Sequence, residues 1–125
     1  MLRTDNYRTV ARIAFLVTLT VVLVLALSPG WFLQGLGLGF TSHHDKLNHA
    51  AAFAVLAVLG SFGWPEHRTK LIVFLAFTGA AIELLQGTHL IARDMDILDW
   101  VADCAGVACG LTAAGWTKRF VRASP

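Results

Sequence analysis

The sequence predicts an all-α membrane protein, a four-transmembrane-helix bundle with its N-terminus and C-terminus both cytoplasmic. Three observations predict it. Of the 125 residues, 56% are hydrophobic and only 14% charged. About a quarter are charged in soluble domains, so this chain has too little polar surface to cover a water-soluble globule. Its apolar residues fall into four runs, each near the roughly 20 residues that a bilayer demands. Its basic residues collect at alternate ends of those runs. No run alternates with period two, which disfavours a β-barrel, and helices then satisfy the backbone in lipid. The length allows a single domain, residues 1–125.

The first apolar run covers residues 13–27, after Arg12 and before Ser28-Pro29-Gly30. With Val10 and Ala11 included and Arg12 snorkelling, the span is expected at about 10–28. A cleaved signal peptide competes with it, having the same basic start and Leu/Val-rich middle. Pro29 would directly follow the cut, so a retained span is expected. Between the first and second spans, residues 31–40 alternate Gly35, Gly37 and Gly39 with Leu and Phe. Such spacing discourages a stable helix, and an interfacial or re-entrant loop with Trp31 near the headgroups is expected. The second span is expected at about 47–64, the third at 71–90 and the fourth at 97–116.

Orientation follows from the cations, since cytoplasmic loops are rich in Lys and Arg. Arg3, Arg8, Arg12, Arg68, Lys70, Lys118, Arg119 and Arg122 fall at one end of the spans; only Lys46 and Arg93 fall at the other. Six of the eight acids, namely Asp45, Glu83, Asp94, Asp96, Asp99 and Asp103, fall at that other end. The basic end is therefore expected inside and the acidic end outside. A bacterial inner (cytoplasmic) membrane is the expected location. With no Lys/Arg run interleaved with aromatics, nucleic acid is not an expected partner.

Ionisable groups within a span cost of order 3 kcal/mol each on insertion scales and are functional candidates by default. Here they are gathered at one level. Asp45, Lys46 and His49 open the second span; Glu83 and Gln86 close the third; Arg93, Asp96, Asp99 and Asp103 lead into the fourth. At 100° per residue, Asp96, Asp99, Asp103, Gly106 and Gly110 share a face, as do Gly79, Glu83 and Gln86. Gly79, Gly106 and Gly110 are the expected helix-packing positions, with Ala102, Gly106 and Gly110 forming a small-xxx-small ladder. Glu83 lies toward the negative end of its helix and Lys46 toward the positive end of its own. Pairing Glu83 with Lys46 or with Arg93 would cancel both penalties.

Plainer roles compete. Asp45 fits an N-cap box begun by Ser42, and Asp94 or Asp96 a cap for the fourth helix, Asp94 being favoured. His43, His44, His67 and His89 read as solvated. Cys104 and Cys109 point to different faces and read as small apolar residues. Glu83, Asp99 and Asp103 lie too deep to be caps, and their plain reading is a structural ion-pair network with Lys46 and Arg93. His49, Glu83, Asp99 and Asp103 offer one nitrogen and several oxygens to a metal, but no HExxH or paired-Cys motif accompanies them and no metal is expected. No nucleotide loop, Ser-His-Asp order or haem motif names a cofactor.

These residues, at these spacings, resemble the VanZ-like family of bacterial membrane proteins. The resemblance rests on Asp45-Lys46-Leu47-Asn48-His49, on Glu83-Leu84-Leu85-Gln86, and on Arg93, Asp96, Asp99, Gly106 and Gly110. It covers roughly residues 45–110, and Asp103 stands where the family has Asn. It implies a small multi-helix membrane protein, in a family named for a member linked to resistance against the glycopeptide teicoplanin, and no established reaction. The reading expected from it is a polar site at the outer face that binds or acts on a lipid-linked or glycopeptide-related envelope ligand. His49, Glu83 and Asp99 are the catalytic candidates. Asp45, Lys46, Gln86, Arg93, Asp96 and Asp103 are the binding candidates, with Lys46 and Arg93 suited to a phosphate or carboxylate. The lipid bilayer is the other expected partner. A small transporter or ion-coupling protein is the alternative, as is a non-catalytic structural module.

Overall fold

The computed structural model describes residues 2–37, 42–91 and 93–124, with side chains throughout except at residues 2 and 42–45. These residues form five helices and no strand: α1 (Leu2–Ala26), α2 (Gly30–Gly35), α3 (Ser42–Gly63), α4 (Arg68–Gln86) and α5 (Ile97–Ala123). α1, α3, α4 and α5 are long and apolar enough to cross a membrane. The protein is thus a multi-pass, all-helical membrane protein.

Helix ends differ from the expected spans for local reasons. α1 begins at Leu2 because no Gly or Pro interrupts the polar turn before the apolar run. α4 stops at Gln86, where Gly87 is the C-cap and the Arg93 amide donates to the Gln86 carbonyl (3.1 Å). Residues 87–91 are therefore turns and not span. Part of the expected loop at 31–40 is helical: α2 keeps its glycines at its two ends, around Trp31-Phe32-Leu33-Gln34. Gly37, at φ +74°, ends this short helix with a conformation that other residues rarely adopt. Leu33 is buried, whereas Trp31 is exposed. Residues 38–40, like Asp45 and the histidines His43 and His44 as side chains, lie outside the described set.

α3 is the hub, touching α1, α4 and most closely α5. The two run in the same direction, for Lys46 meets Asp99, Ala50 meets Gly106 and Ala54 meets Gly110. A side chain on Gly106 would overlap the backbone of Ala50, and one on Gly110 that of Ala54. The small-residue face of α5 thus lies against α3, not lipid. Gly60 similarly admits Leu71 of α4. Phe15, Phe53, Leu56, Ala57, Leu75 and Val107 belong to the central core. Val10, Ile13, Val17, Val21 and Val24 on α1 point outward, as a lipid-facing helix requires.

The basic end has its own logic. The last carbonyls of a helix have no partner within it. At the end of α3, Lys118 Nζ donates to the Ser61 carbonyl (2.7 Å) and Arg12 Nε to the Gly63 carbonyl (2.8 Å). Both cations meet the negative end of the α3 dipole. Arg12 also lies over Trp64, 5.4 Å from the ring centroid, and Trp64 stands edge-on to Phe15 at 5.3 Å.

Candidate functional site

At the opposite end, three helices converge on the polar residues. Down α5, Asp96, Asp99 and Asp103 face α3, where Lys46 and His49 are one turn apart. Lys46 Nζ lies 2.7 Å from Asp96 Oδ2 and 3.0 Å from Asp99 Oδ1. One turn deeper, His49 Nδ1 lies 3.0 Å from Asp103 Oδ1. Of the alternatives for Lys46, pairing with Glu83 gives way to this ladder, because the parallel approach of α3 and α5 sets Lys46 beside the first turn of α5.

Glu83 enters from α4. Its Oε2 accepts from the Asp96 amide (3.1 Å), one of the donors left over at the start of α5. Asp96 itself caps α5: its Oδ1 accepts from the Leu98 amide at 2.9 Å. The cap expected at Asp94 therefore belongs to Asp96, and Asp94 is exposed. The Lys46 ammonium and the Leu98 amide hold the Asp96 carboxyl below the usual carboxylate range.

The deeper acids are almost sealed. Glu83 is 4% exposed, Asp99 5% and Asp103 1%. Gly79 makes the room: a Cβ there would lie 2.7 Å from Asp103 Oδ2. Glu83 Oε1 is buried with no hydrogen-bond partner among the described residues. Donor atoms of His49, Glu83 and Asp103 all lie within 4.8 Å of one another, which makes these three, among the described residues, a set able to hold a metal.

Gln86 and Arg93 serve the end of α1. Pro29 follows so soon that the Ala26 carbonyl has no helical successor, and Gln86 Nε2 (2.9 Å) and Arg93 Nη1 (3.2 Å) donate to it. Beside them lies a cavity of about 220 Å³ between α1, α3 and α4. Val22, Leu25, Phe53 and Ile82 line its apolar part, and Asn48, His49 and Arg93 its polar part.

Every expected site residue with a described side chain is at this end of the bundle. Two contributors were not singled out from the sequence. Asn48 lines the cavity, and its place inside the Asp45–His49 motif was the available signal. Trp100 Nε1 donates to the Ala76 carbonyl (3.0 Å) and ties α5 to α4; an indole N–H needing a partner within a span was its signal. No family model, curated protein or solved structure matches the chain.

Proposed function

We propose that the chain is a VanZ-like protein of the bacterial inner membrane, with its acidic end outside, where it binds an amphipathic, lipid-linked ligand of the cell envelope. The observation that carries the reading is the two-natured cavity. Its wall of Val22, Leu25, Phe53 and Ile82 suits a hydrocarbon chain, and Asn48, His49 and Arg93 suit a polar head. Arg93 brings a permanent positive charge for a phosphate or carboxylate. Asp103 Oδ1, 3.0 Å from His49 Nδ1, fixes the ring, the arrangement of an oriented acid/base group. An ion-conducting reading needs a polar path onward, and the core below is Phe53, Leu56, Ala57, Leu75 and Val107.

The direct test is lipid mass spectrometry on protein purified in mild detergent. A phosphate-bearing envelope lipid should co-purify with the native chain and be depleted at least tenfold in Arg93→Gln and in Phe53→Trp, which fills the apolar part. The same lipid profile in all three would remove the reading. Topology is tested separately. Reporters fused at the C-terminus and in the Glu66–Lys70 connection should report cytoplasm, and those near Gly37 and Ala92 the outside. A periplasmic signal at the C-terminus would mean that one span is missing.

A further inference from the structure

We infer that His49, Glu83 and Asp103 form a binding site for one divalent cation of the zinc or manganese type. Three observations lead there. The first is the donor set: one imidazole nitrogen and two carboxylates from three different helices converge within 4.8 Å. Nitrogen with oxygen suits first-row divalent ions, whereas an all-oxygen set would favour magnesium or calcium.

The second is the unspent oxygen. Glu83 spends Oε2 on the Asp96 amide, and Oε1 stays buried with no hydrogen-bond partner among the described residues, in a residue 4% exposed. A bare carboxylate oxygen sealed from water is costly, and a cation in the His49–Asp103 cluster would occupy it.

The third is spacing and charge. A six-coordinate ion with bonds of about 2.1 Å sets neighbouring donors about 3.0 Å apart and opposite ones about 4.2 Å apart. His49 Nδ1 and Asp103 Oδ1 already stand 3.0 Å apart, and no donor separation within the set exceeds 4.8 Å. Among the described side chains that are not exposed, which leaves out Asp94, the acidic end sets the carboxylates of Glu83, Asp96, Asp99 and Asp103 against Lys46 and Arg93. With His49 neutral, one divalent ion balances the surplus. Gly79 contributes by leaving Asp103 room beside α4.

This site does not depend on the ligand proposed above, and it is read with metal alone. The native chain, purified in detergent with a tag free of histidine, is stripped with a chelator and dialysed against Zn²⁺ or Mn²⁺. Metal per chain is then measured by elemental mass spectrometry. One ion per chain is expected, with affinity at least tenfold weaker in Glu83→Gln, His49→Ala and Asp103→Asn, and unchanged in the exposed control Asp94→Asn. In the Mn²⁺ form, pulsed electron paramagnetic resonance should show nitrogen coupling from His49. The proposal is overturned if the folded native chain retains neither ion at 100 μM free metal, about a hundredfold above a micromolar Kd. Equal affinity in the variants, or a Mn²⁺ signal without nitrogen coupling, overturns it equally, and the native-chain measurements stand even where a variant fails to fold.

Discussion

The two ends of the bundle handle charge in opposite ways. At the basic end, cations reach backbone carbonyls: Lys118 and Arg12 close the last turn of α3. The described ion pair there, Arg8 with Glu66 at 2.9 Å, has side chains 34% and 59% exposed. At the acidic end, Lys46 reaches two carboxylates, and Asp99, Glu83 and Asp103 lie buried below. Helix ends require partners, so the basic end needs no further explanation. Closing α5 draws on Glu83 and Asp96, but not on the sealed Asp99 and Asp103, and that excess distinguishes the acidic end.

The largest way to break this asymmetry is through the seam that brings α3 to α5. Gly106→Leu would drive a side chain into the Ala50 backbone, one residue from His49 and about one turn below Asp103. Overpacking of this kind costs about 3 kcal/mol, and separating the helices would undo the acidic end first. We expect a large fall in melting temperature in detergent. Gly115→Leu, on the same helix with nothing within 4 Å of its new Cβ, should melt like the native chain. Equal behaviour of the two would mean that the seam does not hold the site together.

A smaller effect compares the two ends directly. Lys46→Met strips the ammonium from Asp99, whose side chain is 7% exposed, and a buried carboxylate without its cation is strongly destabilising. The melting temperature should fall by several degrees, with partial recovery in Lys46→Met/Asp99→Asn. Arg8→Met breaks a pair that water already solvates and should leave melting unchanged. Smaller again is Trp100→Phe, which keeps a ring but removes the hydrogen bond to Ala76. A net loss of about 1 kcal/mol is expected, measured by reversible unfolding in mixed micelles.

How far these differences were legible in the sequence depends on what each required. Hydropathy alone separates the four spans, because a bilayer tolerates few alternatives. The gathering of Lys46, His49, Glu83, Asp99 and Asp103 at one level follows from their depth in each span. Pairing was not legible. Helical spacing places Glu83 and Lys46 on inward faces, but which acid meets which cation depends on how α3 and α5 cross, and that crossing is set by Ala50 against Gly106. The cap at Asp96 was one of two readings, with Asp94 the favoured one, and the end of α4 at Gln86 was missed for a related reason. Both are fixed by backbone hydrogen bonds in the 87–96 connection, where Asp94 and Asp96 look alike in sequence.

The smallest predicted effect concerns Asp96, because its side chain is 38% exposed and water screens its pairing. Lys46 and the Leu98 amide depress its carboxyl pKa in the folded chain. A depressed pKa contributes stability that is fully present above the unfolded carboxylate value, about 3.9, and is lost as pH falls through the folded one. Glu66 at the basic end is depressed as well, chiefly by its own backbone amide and then by Arg8, so acid weakens both ends and the native curve alone cannot separate them. Asp96→Asn does so. An Asn caps a helix about as well as Asp but has no charge for Lys46 and does not titrate. The variant should therefore melt slightly lower than the native chain at pH 7, and the gap should close below about pH 4 as Asp96 protonates. A gap of constant size from pH 7 to pH 3 would show that Asp96 acts through its shape alone. The acidic end would then rest on Asp99 as the sole charge partner of Lys46 among the described residues.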